Sequence, residues 1–444
     1  MPLPIMMKAA LLTDYHAPLE MAEVPVPQIG SDEVLVQIEA SGLCFTDVHI
    51  WKGEHAPPSL PLIMGHEGVG RVVAVGSTAT RFQVGDCVGI GYVYGACGHC
   101  RDCRTGGENY CSDFTATGYA TPGCFAEYVA LKDQWASKIP NGIDAIEAAP
   151  LMCAGAAAYA SLKKTGVQVG DTVAIFGMGG LGQYCVQLAK LSGLRVIAVD
   201  VADDKLATAK TLGADECVKA DEGAGAAIQE LGGAHGCVNF APVTATWPMM
   251  LDACNPRATI VLTGVPAGEM AFYTYQLVER GLMVRGSSAS NRQEMAELLA
   301  LAAGGRVKGV INAVPFAQIN EALLDLNAGK VEGRTVLTMG EYKLMDLKLT
   351  AKTALITGAS MGIGAHVAET LAAEGVHLHL TARSAEKLET LKAEIAKTSD
   401  VSVTLHPLDL TSRGRTGRLG AGNLQCGYSG QQRWRNSQWR LVGR

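Results

Sequence analysis

The sequence predicts an α/β protein in three parts: a β-rich domain carrying metal-ligand residues, a doubly wound nucleotide-binding domain, and a second, partial nucleotide fold. Three observations carry that prediction. From about Val34 to Val129, short β-type runs (EVLVQIEA, GVGRVVAVG, GDCVGIG, FAEYVAL) alternate with Gly and Pro. After Ile146 an Ala-rich helical stretch leads into DTVAIFGMGGLGQYCVQLAKLSGLRVIAVD, which reads as strand, glycine turn, amphipathic helix and strand. The same order returns after Met345 in KTALITGASMGIGAHVAETLAAEGVHLHLTARS. Between the two, helical AELLALAAGG and INEALLDLNAG lead to a strand, RTVLTMG, so that a self-contained enzyme could end near Glu341.

Composition narrows the function. The 444 residues are 48% hydrophobic and 18% charged, enough apolar material for roughly two to three cores. A net charge of −6 gives no general attraction for nucleic acid or an anionic membrane. No uninterrupted apolar run is long enough to span a bilayer, and MPLPIMMKAALL has no charged n-region, h-region or cleavage site. The thirteen cysteines are odd in number and most sit at metal-ligand spacing or in apolar segments, which fits a reducing, cytoplasmic setting better than a disulfide framework.

The cysteines carry the first chemistry. CGHCRDCRTGGENYC places Cys97, Cys100, Cys103 and Cys111 in one loop. Four thiolates at such spacing close a tetrahedral shell around Zn²⁺ and leave no position for substrate, so this site is structural. Cys44 in SGLCFTDVHIW, His66 with Glu67 in MGHEGVG, and Cys153 in APLMCAGAA are each weak signals alone. Together they offer two thiolates and one imidazole, the donor set of a zinc with an open fourth position.

GMGGLG sets Gly177, Gly179 and Gly182 in the GxGxxG pattern, where bare backbone approaches a pyrophosphate at a helix N-terminus. Gly180 and Leu181 complete the turn. Asp200 ends the next strand, RVIAVD, where a carboxylate binds both ribose hydroxyls and repels a 2′-phosphate; NAD is therefore expected rather than NADP.

On these residues the chain, over about Met7 to Glu341, resembles the zinc-dependent alcohol dehydrogenases of the medium-chain family. The resemblance implies a GroES-like catalytic domain over 1–157, completed by about 290–341, and a Rossmann domain over 158–289. It implies two zincs per chain, NAD, a small alcohol or aldehyde substrate, and a dimer or tetramer. It assigns Cys44, His66 and Cys153 to the catalytic zinc, Asp47 to orienting His66, and Glu67 to assisting ligand exchange. Thr46 and His49 match the family's proton relay from alcohol to solvent. Lys205 would flank the adenosine ribose, Val265 would lie in the cofactor site, and Arg334 would meet the pyrophosphate. Other activities consistent with these motifs are a polyol or formaldehyde dehydrogenase, or a non-catalytic zinc-stabilised NAD-binding protein.

Departures from the family carry expectations of their own. Phe45 stands where related microbial enzymes have a His near the cofactor phosphates, and Ala157 replaces a Thr that packs on the nicotinamide. GSSASNRQE replaces the usual GSxVGTRxD. Weaker NAD binding is expected. Trp51 and Tyr92 are expected near the substrate pocket, with His55 where relatives carry Trp.

TGASMGIG, with Thr357, Gly358, Gly362 and Gly364, resembles the TGxxxGxG turn of short-chain dehydrogenases over about 345–411. That resemblance implies that Arg383 favours a 2′-phosphate and that Asp409 meets adenine. The NNAG segment and YxxxK pair of active members are missing, so this part is expected to be a fragment. Residues 412–444 are expected to be a disordered tail. They end in SGQQRWRNSQWRLVGR, with several arginines, two tryptophans and no acid. With suitable codons, GQQRWRNSQWRLVG reads VNNAGAIPSGVSW one base further on, so a frameshift between about Thr411 and Leu424 is expected, and no nucleic-acid partner.

Overall fold

The computed structural model describes residues 3–266, 268–339, 349, 352–360, 362–408, 418–419 and 424–425. Contacts divide the chain into two units, Met1–Glu341 and Tyr342–Arg444.

In the first unit the β-type runs pair into a seven-stranded sheet. Its order is Ala136–Lys138, Cys87–Ile90, Gly68–Val75, Glu33–Gly42, Arg334–Thr338 and Ile311–Pro315, with Tyr128–Lys132 also paired to Glu33–Gly42. The last two strands in sequence thus join the first domain, Val336 lying opposite Gly42. Alternation makes one face of Glu33–Gly42 apolar, and Val34, Val36 and Ile38 pack with Val72, Phe82, Val88 and Leu131.

The nucleotide domain is a six-stranded parallel sheet ordered Glu216–Lys219, Arg195–Asp200, Thr172–Phe176, Ala234–Asn239, Cys254–Leu262 and Met283–Gly286. Counted in sequence this is 3-2-1-4-5-6, whose direction reverses beside the first strand and opens a crevice at its carboxyl end. All five residues of Thr172–Phe176 are buried, as a strand covered on both faces requires.

Helix Ala154–Thr165 starts immediately after Cys153, crosses the expected boundary at 157 without a break, and ends on the left-handed Gly166. Its alanines let it sit deep. One core cluster combines Ala156 and Ala158 with Val69 of the catalytic sheet, Ile175 and Val186 of the nucleotide domain, and Leu298 and Leu299 of helix Arg292–Ala302. No single described helix is long and apolar enough to cross a membrane; the bent pair Ala145–Met152 and Ala154–Thr165 passes only in combination and is core here.

The second unit holds three parallel strands, Thr353–Thr357, His377–Ala382 and Val403–Pro407, with helices Gly362–Ala373 and Ala385–Thr398. Ile356, Leu378, Leu380, Leu388, Leu391 and Ile395 form its own core. Gly358 has φ +70°, and a Cβ on Gly364 would stand 2.3 Å from the Gly358 carbonyl, so the turn needs glycine at both places. Asp409 and the basic tail lie outside the described residues.

Candidate active site

The metal-ligand set is assembled from three distant segments. Helix Phe45–Trp51 begins at Cys44, where Asp47 Oδ2 accepts the Cys44 N–H at 2.9 Å and closes a capping box. The same carboxylate turns its Oδ1 to His66 Nδ1 at 3.5 Å, and both side chains are buried. One aspartate therefore fixes the loop that bears the first thiol and the ring that bears the nitrogen ligand.

Cys44 Sγ and Cys153 Sγ stand 3.8 Å apart, and one ligand atom from each of Cys44, His66, Glu67 and Cys153 lies within 4.8 Å of the others. The fully buried His66 Nε2 has no protein partner, an arrangement costly unless something fills the gap. Hydrogen bonding from the Cys153 thiol holds Cys44 well below the usual thiol range, and that shared proton pushes Cys153 up. Burial opposes charge on His66, yet Asp47 and the Cys44 sulfur raise it well above the usual imidazole value. A cation replacing these protons satisfies all three donors, so the residues fit zinc.

The second cluster is equally well prepared. Cys97 and Cys103 are 3.9 Å apart and Cys100 and Cys111 3.8 Å apart. Each sulfur accepts a backbone N–H: Cys97 from Cys100, Cys100 from Cys103, Cys103 from Gly98, and Cys111 from Cys97 and Asp113. Backbone N–H groups of His99 and Cys100 lower Cys97 to about 6. Donors aimed at sulfur stabilise thiolates, which is what a tetrathiolate zinc requires.

Glu67 lies next to His66 and pairs through Oε1 with Arg334 Nη2; both are buried. Burial raises the Glu67 carboxyl to about 7, against the pull of Arg334. Arg334 runs beneath the glycine turn, since a Cβ on Gly180 would stand 2.4 Å from its Cδ. The metal site and the cofactor turn are thus joined by one ion pair.

In the cofactor turn Gly177 adopts φ +93°, and a Cβ on Gly182 would lie 2.0 Å from the Gly177 carbonyl. Gly179 caps helix Gly180–Leu191, which includes Leu181. Asp200 Oδ2 accepts the Met178 N–H at 2.6 Å and Oδ1 accepts the Ala202 N–H at 3.0 Å. Each oxygen keeps a lone pair for a ribose hydroxyl. Lys205 is half-buried on the next helix, Asp203–Thr211, and Val265 is 72% exposed beyond strand Cys254–Leu262.

Thr46 Oγ1 lies 3.5 Å from Cys44 Sγ. His49, one turn further along the helix, contacts Glu54 through Nδ1. Phe45 is 41% exposed, with its ring edge-on to His49. Tyr92 stands 5.1 Å from the His66 ring and lines a pocket together with Cys153, and Phe114 packs against Tyr92 at 5.7 Å. Trp51 is a correction. It is buried in the core with Leu12, Leu19 and Leu43, and its indole N–H is spent on the Ala17 carbonyl, because the helix turns this side chain inward. His55 is exposed and edge-on to His49.

Motif reading missed Phe114, Glu54, Glu108 and Arg292. Glu54 was detectable as an acid five residues beyond His49; the others come together only in three dimensions.

Fold and site define a medium-chain dehydrogenase with two metal centres and a dinucleotide crevice. The chain matches the family described as alcohol dehydrogenase GroES-like domain over residues 30–141 and the zinc-binding dehydrogenase family over 180–304. It is 41% identical over 334 residues to the alcohol dehydrogenase of Moraxella sp. strain TAE123, covering 74% of this chain and 99% of that one. The alcohol dehydrogenase structure of the archaeon Aeropyrum pernix is 32% identical with a TM-score of 0.69, covering 74% of this chain and 99% of that one. An NAD-dependent alcohol dehydrogenase structure is 30% identical with a TM-score of 0.71, covering 75% and 100%. The chain belongs to the zinc-dependent alcohol dehydrogenases. Residues 352–421 match the short chain dehydrogenase family, so a fragment of a second dehydrogenase type follows the enzyme.

Proposed function

We propose that Cys44, His66 and Cys153 hold the catalytic zinc and that Cys97, Cys100, Cys103 and Cys111 hold a structural one. The chain then exchanges hydride reversibly between a primary or secondary alcohol and NAD. The observation that carries this reading is the buried, partnerless His66 Nε2 facing two thiols. When bound, zinc supplies the Lewis acidity that makes the alcohol hydroxyl easier to ionise. Asp47 holds the ring of His66, and Thr46 stands beside Cys44 to take the hydroxyl proton onward toward His49. Gly177, Gly179, Gly180, Leu181, Gly182 and Arg334 frame the pyrophosphate position, Asp200 and Lys205 the adenosine ribose, and Val265 the nicotinamide end. Glu67, paired with Arg334, couples the two.

Tyr92, backed by Phe114, gives the pocket an aromatic wall, which favours alcohols with an apolar substituent over polyols. The test is steady-state turnover with NAD across primary, secondary and polyhydric alcohols, with metal analysis. Two zincs per chain and zinc-dependent oxidation of apolar alcohols support the reading. Zinc without turnover overturns it in favour of a binding protein.

A homo-oligomer is the second part of this proposal. Strand Met283–Gly286 is an exposed sheet edge, and Tyr273, Tyr275 and Val278 on and beside helix Thr274–Arg280 are more than half exposed. An unpaired edge flanked by apolar side chains fits a second copy of the same chain. A cytoplasmic location accords with the free cysteines among the described residues, Cys237 and Cys254 included, whose sulfurs are 3.6 Å apart and unbridged. Sedimentation and cell fractionation test these two points.

A further inference from the structure

The imidazole of His49 is held on three sides. Helix Phe45–Trp51 ends at Lys52, and the chain reverses at Gly53, whose φ is +74° and whose added Cβ would stand 3.1 Å from the Tyr15 ring. Only glycine makes that turn cheaply. The reversal brings the N–H groups of Glu54 and His55 back to the His49 carbonyl at 3.0 and 3.2 Å. It also lays Glu54 Oε2 on His49 Nδ1. The rings of Phe45 and His55 flank the imidazole edge-on, at 5.1 and 5.3 Å between centroids. Lys52 Nζ is 4.0 Å from the other Glu54 oxygen.

We infer that Glu54 is a positioning residue for proton release: its carboxylate accepts the Nδ1–H of His49 and leaves Nε2 as the basic nitrogen. This rests on the reading of His49 as the outer end of the proton path. A ring nitrogen's tautomer is set by the bond that the other nitrogen makes. Oxidation of one alcohol sends one hydride to NAD and one proton outward. Nε2 takes that proton, so the ring carries N–H on both nitrogens and one positive charge, which the Glu54 carboxylate faces. Nε2 then returns the proton to solvent, and the ring regains its starting tautomer. The hydrogen bond from His49 holds the Glu54 carboxyl below the usual range, so it stays ionised through the working pH of such a base. Among the described charged groups, Lys52 and His55 are the others on this loop that face the pair. Lys52 neutralises part of Glu54 and does not reach the imidazole.

The decisive variants are Glu54→Gln, which keeps size and removes charge, and Glu54→Asp, which keeps charge and shortens reach. Each is made in the full-length, zinc-loaded chain carrying ¹⁵N-labelled histidine. The wild type shows His49 as the Nδ1–H tautomer. Glu54→Gln moves its ¹⁵N shifts toward the Nε2–H form that a free histidine side chain prefers, and lowers kcat near pH 7 about three- to tenfold with KM for the alcohol unchanged, a small part of the roughly 10²–10⁴-fold contribution of a whole general base. The acid limb of the kcat profile moves by about half a pH unit, the size of one exposed ion pair. Glu54→Asp recovers part of both changes. Unchanged ¹⁵N shifts together with an unchanged pH profile in Glu54→Gln overturn the inference. His49→Gln separates the underlying reading: if it keeps wild-type kcat and profile, the proton path does not use His49. If it flattens the profile while Glu54→Gln leaves tautomer and profile alone, only the role of Glu54 fails.

Discussion

Glu108 and Arg292, 184 residues apart, are joined by two bonds to a single oxygen: Glu108 Oε1 accepts both the backbone N–H and the Nε–H of Arg292, each at 3.0 Å. Glu108 lies in the lobe of the four clustered cysteines, and Arg292 opens the helix that packs in the shared core. The guanidinium also covers the Trp135 ring at 4.4 Å. This contact ties the four-cysteine lobe to the body of the enzyme.

Replacing Glu108 by Gln is therefore expected to destabilise the protein by about 1–3 kcal/mol, the cost of weakening a buried charged acceptor. Urea unfolding with intact zinc checks it. The sign with pH is fixed as well. Burial opposes ionisation of Glu108, but the Arg292 bonds outweigh it and leave the folded carboxyl below its ordinary value. Its contribution is full above the unfolded value and is lost as pH falls through the folded one. The variant should lose stability more gently on acidification than the wild type, and an equal slope would sink the assignment.

Cys103→Ser should reduce the zinc content from two per chain to one and lower the thermal midpoint, because a three-sulfur shell binds far less tightly than four. The remaining zinc should still support turnover at permissive temperature. Metal analysis that finds both zincs in place would refute the assignment of the four-cysteine loop.

Phe45→His, at a position 41% exposed, supplies the histidine that the family resemblance sets near the cofactor phosphates. The KM for NAD should fall roughly tenfold, the worth of one charge-assisted hydrogen bond. A KM unchanged or raised would show that Phe45 does not weaken cofactor binding.

A chain stopped after Glu341 should match the whole protein in kcat and KM. The first unit has its own hydrophobic clusters, and the second holds a separate one. A loss of activity on truncation would mean that the second unit contributes to catalysis.

Sequencing the gene tests the tail. A single-base insertion or deletion between about Thr411 and Leu424, followed by NNAG and later YxxxK in the restored frame, is the expected result. An intact frame with no such continuation would leave the basic tail as a genuine terminus.

Much of this enzyme was legible in its sequence because its chemistry is encoded locally. Cys97, Cys100, Cys103 and Cys111 share one loop, and Gly177, Gly179 and Gly182 share one turn, so spacing alone implies the ligand. Cys44, His66 and Cys153 are scattered, so their donor types suggested a zinc with an open position and the family resemblance assigned all three to it. Trp51 was misplaced because helix direction, not residue type, decides which way an aromatic faces, and its indole N–H found the Ala17 carbonyl instead of a pocket.

The sequence by itself determined the donor types, the glycine turns and the order of the three parts, since these depend on neighbours a few residues away. Only the tertiary structure decided that Glu67 meets Arg334 beneath Gly180 and that Glu108 clasps Arg292. Such pairings form where sheet closure and core packing bring distant segments to hydrogen-bond distance, and no local pattern records them.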